Sequence, residues 1–389
     1  MIYFDNSATT PVCARAAAKM AEIGEQFWGN PSSVHSFGLS ASKILSESRK
    51  KLLNIMGASE GHGDLFFTSG GTEADNIAVI GTALAKERNR GGRIIISDSE
   101  HPAVYSSADY LSKLGFDIVT IGTRGGKLDI GGLEAAVNER TILVSLMTVN
   151  NETGARYDVA AAFATAKRIN PAVVTHTDAV QAFMKTGESV LSCRPDLATV
   201  SSHKIFGPKG VGALFVSGDV IRSKKIVPLF HGGNQESGFR SGTENLPGIA
   251  AFAEAAEFCS EQFVSMSCTV NECVSALERR LSTDGRLSTV RINRPEGGSV
   301  DGVISLTVPG IRSEVMLRFL SGKGICVSSG SACSSRSKEP SRALLAFGLD
   351  RRSADSTIRV SLSGFNTPVE METFCDALAE GIASLSRVR

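Results

Sequence analysis

The stretch ATVSSHKIFGPKG, residues 198–210, ends a short apolar run and places Lys204 directly after it, beside His203 and ahead of a Gly-Pro turn. A solvated lysine is protonated and a poor nucleophile at neutral pH. One withdrawn from water has a lowered pKa and can form a Schiff base with a carbonyl. Taken alone, Lys204 reads as a surface lysine; its surroundings in the chain change that reading.

The run before Lys204 is one of a series bounded by glycine or polar turns: LFFTSG (65–70), RIIIS (93–97), DIVTIG (117–122), TILVSLMT (141–148), AVVTHTDA (172–179), LATVSS (197–202) and VGALFVS (211–217). Short continuous apolar runs read as strands buried on both faces. Helical patterns over Thr72–Arg88, Ala103–Leu114, Gly132–Glu139 and Val159–Arg168 separate most of them. That alternation predicts an α/β fold with a mostly parallel seven-stranded sheet flanked by helices. A long helical pattern from Leu246 to Leu281, apolar at first and then polar, leads to VISLTVPG, a helix over Ser313–Ser321, TIRVSLS and a closing helix over Pro368–Ser386. The chain is therefore expected to form a large domain over 15–255 and a smaller α+β domain from 1–14 and 256–389.

At 389 residues the chain exceeds the usual single-core size, which favours two domains. A formal charge of +1 with 21% charged residues lacks the basic excess of a nucleic-acid or membrane-surface binder. No run of about 18 apolar residues and no leader pattern occurs, so a cytoplasmic location is expected. The eight cysteines are scattered, which argues against a disulfide framework. No Cys-x-x-Cys pair is present, and neither Cys268 with Cys273 nor Cys326 with Cys333 has good spacing for a zinc or iron–sulfur site.

In FFTSGGTEADN, Ser69, Gly70, Gly71 and Thr72 lead from a strand into a helix. Glycines let a ligand approach the backbone, and free N–H groups at a helix start favour an anion such as phosphate. A plain tight turn capped by Thr72 is the alternative. Asp178 ends an apolar strand, where a charge needs either a partner cation or a capping role. His101 follows a strand and precedes a helix on the edge where open α/β sheets collect ligands, or is merely a loop histidine. Arg359 lies within a strand-like run, suited to an α-carboxylate or to an internal salt bridge. A lysine for an aldehyde, an acid for a pyridine nitrogen and N–H donors for a phosphate together describe a site for pyridoxal 5′-phosphate, and the set is far more specific than any member.

The motifs FDNSATTPV, NPSSVHSFG, FTSGGTEADN, EHPAV, VNNETGA, TDAVQA, SSHKIFGPKG, FRSGTEN, SSGSACSS and TIRVSL cover almost the whole chain in order. In these it closely resembles the cysteine desulfurases, pyridoxal-phosphate enzymes of the aminotransferase class V superfamily with the type I fold, and among them the NifS/IscS-like branch. The resemblance implies that Lys204 carries the Schiff base, that His101 stacks on the ring and exchanges protons, and that Asp178 pairs with the ring nitrogen. It further implies that Gln181 and Asn151 contact the cofactor's phenolic oxygen or the substrate, and that Gly71, Thr72, Ser201 and His203 hold the phosphate. Thr243 would reach in from the other subunit of a homodimer, and Arg359, helped by Asn151, would bind the substrate carboxylate. Cys333 would take sulfur from L-cysteine as a persulfide, leaving alanine, and pass it to an iron–sulfur scaffold or a thiolation enzyme.

The composition around Cys333 suits that task, since Ser328, Ser329, Gly330, Ser331 and Ala332 place little constraint on a thiol that has to travel. Two residues depart from the family pattern: Asn234 stands where glycine is common, and Val180 where threonine is common. The chain also stops soon after its last helix, without the extension by which housekeeping relatives dock a scaffold, which leaves the sulfur acceptor open. Competing readings are a selenocysteine lyase or other C–S lyase on the same fold, an aminotransferase, and a non-enzymatic sulfur or metal carrier using Cys326 and Cys333.

Overall fold

The computed structural model describes residues 1–59, 61–86, 89–330 and 340–385. A short strand β1 (Ile2–Tyr3) and helices α1 (Ala14–Gln26) and α2 (Ser36–Met56) come first. Strand and helix then alternate through β2 (Gly63–Thr68), α3 (Gly71–Ala83), β3 (Arg93–Ser97), α4 (Pro102–Lys113), β4 (Asp117–Ile121), α5 (Ile130–Ala136), β5 (Thr141–Ser145), α6 (Val159–Ile169) and β6 (Val174–Asp178). β7 (Leu197–Ser201), β8 (Gly212–Ser217) and α7 (Gly218–Arg222) follow.

All seven apolar runs become strands of one sheet in the order β2-β8-β7-β6-β5-β3-β4. Every pairing is parallel except those of β8 with β7 and β2. This is the mostly parallel α/β fold expected from the sequence. β6, β7 and β8 are buried at every position because helices cover both faces of the sheet. One apolar layer joins Phe67, Ala198 and Phe215 to α1, α2 and the start of a later helix; another joins Ile94, Leu143 and Leu214 to α3 and α4.

Element ends depart from expectation where a polar side chain closes a turn. α3 stops at Ala83, because Asn89 Nδ2 donates to the Thr82 carbonyl (3.0 Å) and turns the chain toward β3. α5 begins at Ile130 because Asp129 caps it, accepting from Gly132 N at 2.8 Å.

The 38-residue α8 (Leu246–Thr283) packs its apolar first half on α1 and α2 and reaches a second core with its polar half. There β9 (Arg291–Ile292), β10 (Val303–Thr307), α9 (Ser313–Gly322), β11 (Ile325–Cys326), α10 (Arg342–Phe347), α11 (Arg351–Asp355), β12 (Thr357–Ser361) and α12 (Pro368–Leu385) follow. β12-β10-β9 form an antiparallel sheet, and β1 pairs in parallel with β11. Phe4 and Phe374 meet edge to face in this core with centroids 5.9 Å apart, each ring contributing about 1.5–3 kcal/mol by leaving water.

Candidate active site

The parallel strands β3, β5, β6 and β7 end at one edge, beside the N-terminus of α3, and a cavity of about 210 Å³ opens there. Gly71, Thr72, His101, Asn151, Asp178, Gln181, Ser201, His203, Lys204 and Arg359 all line it. Residues spread across most of the sequence thus converge on one chamber.

One end of the chamber suits an anion. α3 starts behind Gly70 with no side-chain cap, so the N–H groups of its first turn lack the usual acceptor. A Cβ on Gly71 would come within 3.0 Å of Val180 Cγ2, so glycine keeps this wall open. Ser201 Oγ, at the end of β7, is buried without a hydrogen-bond partner. An unmatched hydroxyl beside unmatched amides is costly unless a guest accepts from them. His203 is turned toward Thr9, with Nδ1 and Oγ1 3.2 Å apart, and burial pushes its pKa down to about 4, leaving it a neutral ring.

The opposite end is acidic. Asp178, the last residue of β6, accepts from Val180 N at 2.9 Å. Burial raises its pKa, and the nearby His101 works against that rise. His101 caps α4: its Nδ1 accepts from Ala103 N at 3.2 Å, which leaves Nε2 as the protonated nitrogen of the neutral ring. Burial lowers the pKa of His101, with Asp178 opposing. A third group, Asp75 of α3, lies in the same wall; its carboxyl, that of Asp178 and the His101 ring place ligand atoms within 4.8 Å of one another.

Lys204 Nζ donates to the main-chain carbonyls of Ser7 (2.6 Å) and Ala8 (2.8 Å), so the segment after β1 folds over the lysine. Gln181 Nε2 donates to the same Ser7 carbonyl at 3.0 Å, while its Oε1 accepts from Lys185 Nζ at 2.8 Å. An ammonium only donates, so Lys185 fixes which end of the Gln181 amide is oxygen. Burial, with Lys204 and Arg359 adding to it, pushes Lys185 down to about 7. Arg359, on β12, is 2% exposed. Its Nη2 pairs with Asp5 at 2.6 Å and Nη1 donates to the Asn151 carbonyl at 2.9 Å, while Nε is buried without a partner. The guanidinium is thus both neutralised internally and left with one donor in reserve.

The family model of the class-V aminotransferases matches residues 2–374. The chain belongs to that family. Within it the chain groups with the cysteine desulfurases. It is 35% identical over 388 residues to the cysteine desulfurase IscS of Dictyoglomus turgidum, covering 100% of this chain and 96% of that protein. To the putative cysteine desulfurase IscS 1 of Bacillus subtilis it is 36% identical over 387 residues, with 99% of each covered. A solved NifS-like protein superposes with a TM-score of 0.89 at 34% identity, over 98% of this chain and 99% of its own. A structure of SspA in complex with cysteine gives a TM-score of 0.79 at 29% identity, over 94% and 100% of the two chains.

Of the residues expected at the site, Thr243 does not line the chamber. Thr243 is exposed and lines a different cavity with Ser69, Glu236 and Arg240. Cys333 lies outside the described residues; two residues past β11, the backbone of Ser328 pairs with that of Arg359 (3.1 and 2.6 Å). Cys326 is half-buried on β11. The two departures have physical explanations. Asn234 has φ +63°, a left-handed conformation that asparagine tolerates better than most residues, and Val180 presents a methyl to Gly71 where a hydroxyl would be an extra donor. Asp75, Lys185 and the carbonyls of Ser7 and Ala8 belong to the site but were not singled out from sequence. The signal for the last two was the FDNSATTPV motif itself; the first two looked like ordinary helix and turn residues.

Proposed function

We propose that the chamber binds pyridoxal 5′-phosphate and L-cysteine, and that the chain transfers the substrate's sulfur to Cys333, leaving L-alanine. The observation that carries this reading is the convergence of Lys204, Asp178, His101, the uncapped start of α3 and Arg359 on one cavity. The donor set fits the cofactor: unmatched amides of α3 and the Ser201 hydroxyl for its phosphate, with His203 and Thr72 beside them, and Asp178 for a protonated ring nitrogen. When bound, pyridoxal phosphate offers an aldehyde to Lys204 and withdraws electrons from the substrate Cα.

The remaining work falls to the chain. Lys204 Nζ is held by two carbonyls in the chamber; it would hold the aldehyde end of the cofactor and could hold or move a proton at the substrate Cα. His101, locked as the Nε2–H tautomer by its own helix, lies over the Asp178 end and can give or take a proton at substrate nitrogen or sulfur. Gln181, whose Oε1 accepts from Lys185 and whose Nε2 donates to the Ser7 carbonyl, would have its second amide N–H to offer the cofactor's ring oxygen. Arg359 Nε, with Asn151, receives the substrate carboxylate. The Cys333 thiolate would attack the substrate sulfur as the Cβ–S bond breaks, the bonding pair staying with the carbon, which is protonated and leaves as alanine, and the resulting persulfide would pass to an acceptor protein such as an iron–sulfur scaffold or a thiolation enzyme.

A homodimer completes this proposal. Trp28 (70% exposed) and Phe37 meet at an interplanar angle of 36° with centroids 5.2 Å apart on a surface that also exposes Val34 and Leu39. An apolar cluster of this kind marks an interface, and the exposed Thr243 then serves the partner's phosphate site. Cys333→Ser should keep the yellow colour of the cofactor-loaded protein and lose alanine and persulfide formation from L-cysteine; Lys204→Ala should lose the colour as well. Full activity in Cys333→Ser would refute the transfer step, and activity confined to selenocysteine would favour a lyase.

A further inference from the structure

One buried acid in the chamber has no task in this scheme. Asp75 lies in the second turn of α3, 1% exposed, and its Oδ1 has no hydrogen-bond partner. The basic atom facing it is His176 Nε2 at 3.7 Å. His176 supplies no positive charge: it is fully buried, burial pushes it down to about 3, and both ring nitrogens are engaged, Nδ1 with Ser145 Oγ (2.8 Å) and Nε2 with Thr199 Oγ1 (3.1 Å).

The remaining charged groups divide unequally between Asp75 and Asp178. β6 presents His176 and Asp178, the link from β3 to α4 presents Glu100 and His101, and Lys204 follows β7. Asp178 has a backbone N–H, His101 and Lys204 on its side. Asp75 faces Asp178 and Glu100, with only the Thr199 hydroxyl in its favour. Burial first, and Asp178 next, hold Asp75 well above the usual carboxylate range. Two buried carboxyls within 4.8 Å do not both ionise readily, and the pair titrates as a unit.

We propose that Asp75 is a positioning residue that remains an uncharged acid, so that the Asp75–Asp178 pair presents one negative charge, held on Asp178, to the ring nitrogen of the cofactor. The inference rests on reading the chamber as a pyridoxal phosphate site. One charge matches one cationic nitrogen; a second would bind the same proton more tightly and add repulsion between two carboxyls whose oxygens lie within 4.8 Å. It also makes the Asp75, His101 and Asp178 trio a poor host for a divalent metal, which requires deprotonated ligands.

The test uses the full-length protein loaded with pyridoxal phosphate and reads the pH midpoint of its visible absorption, which follows protonation at the Lys204 nitrogen, rather than turnover. Asp75→Asn, a neutral isostere, should move that midpoint by less than about 0.3 pH unit. If Asp75 is ionised, removing its charge lowers the midpoint by more than about 1 unit, and the proposal is overturned. Because Asp75 sits in a packed helix, a second measurement avoids replacing it. In protein with isotope-labelled aspartate carboxyls and Asp178 intact, a label-sensitive carbonyl stretch of a protonated acid should be present at neutral pH; its absence overturns the proposal. Failure of the parent protein to develop visible absorption is a different result, because it removes the cofactor reading itself.

Discussion

Helices α3 and α4 begin at the same edge of the same sheet and are finished in opposite ways. α4 takes its cap from its own chain: His101 accepts from Ala103 N, and Pro102 follows at the first helical position. α3 has Gly70 at that place, and the acid in its first turn, Glu73, is directed back to Ser69 N and out to Arg240. A self-supplied cap satisfies the backbone and locks a ring in one tautomer and orientation. A missing cap leaves donors for a guest. Absence of a cap is not informative by itself, since α1 and α9 also lack one and neither starts at the chamber. The information lies in the pairing of bare amides with a bare buried hydroxyl at Ser201.

The largest break in this comparison should come at the capped end, where one side chain has two jobs. His101→Ala removes both ring and cap, and is expected to cut turnover about 10²–10⁴-fold and stability by about 1 kcal/mol. His101→Asn restores a good cap without an imidazole, so thermal or denaturant unfolding should return close to the parent while turnover stays low. Equal stability losses in the two variants would show that the capping bond contributes nothing.

Breaking the open end should have a smaller effect. Gly71→Val brings a branched side chain against Val180 and Ser201, and should weaken pyridoxal phosphate binding on the order of 10- to 100-fold in a fluorescence or absorbance titration. Unchanged affinity would mean that this turn does not hold the phosphate. Ser201→Ala should be milder still, about 10-fold in affinity. Its hydroxyl has no partner within the protein, so stability without cofactor should not fall. A clear loss of stability there would mean that the hydroxyl serves the fold instead.

Much of this was legible in the chain, for reasons specific to each position. Strands buried on both faces must be continuously apolar, so the seven runs were readable, and Asp178 and Lys204 stood out because polar groups immediately follow or end such runs. Asp75 did not stand out, because TEADN reads as the polar start of a helix. Only the packing of α3 over β6 and β7 buries that acid above His176. Lys185 follows a run of turns, and its burial depends on α8 passing behind it. The Ser7 and Ala8 carbonyls could not be read from side chains at all, since their contribution is main-chain geometry. Thr243 points away from this chain's chamber, so any role at a phosphate depends on a second copy.

The tie between Arg359 and Asp5 also sets a timetable. Asp5 leaves the ribosome 354 residues before its partner, and Asn6 and Ser7 wait as long for Ser361. At typical synthesis rates of about 5–20 residues per second, that interval is roughly twenty seconds to a minute. The sheet that carries Lys204 and Asp178 is complete well before then, and Thr10 and Cys13 can already bond to His203 and Phe206, but the Asp5–Ser7 end of that segment lacks its Arg359 and Ser361 partners until β12 appears. The newborn chain therefore has Lys204 and the segment over it before it has the Arg359 side of the chamber, which arrives with β12.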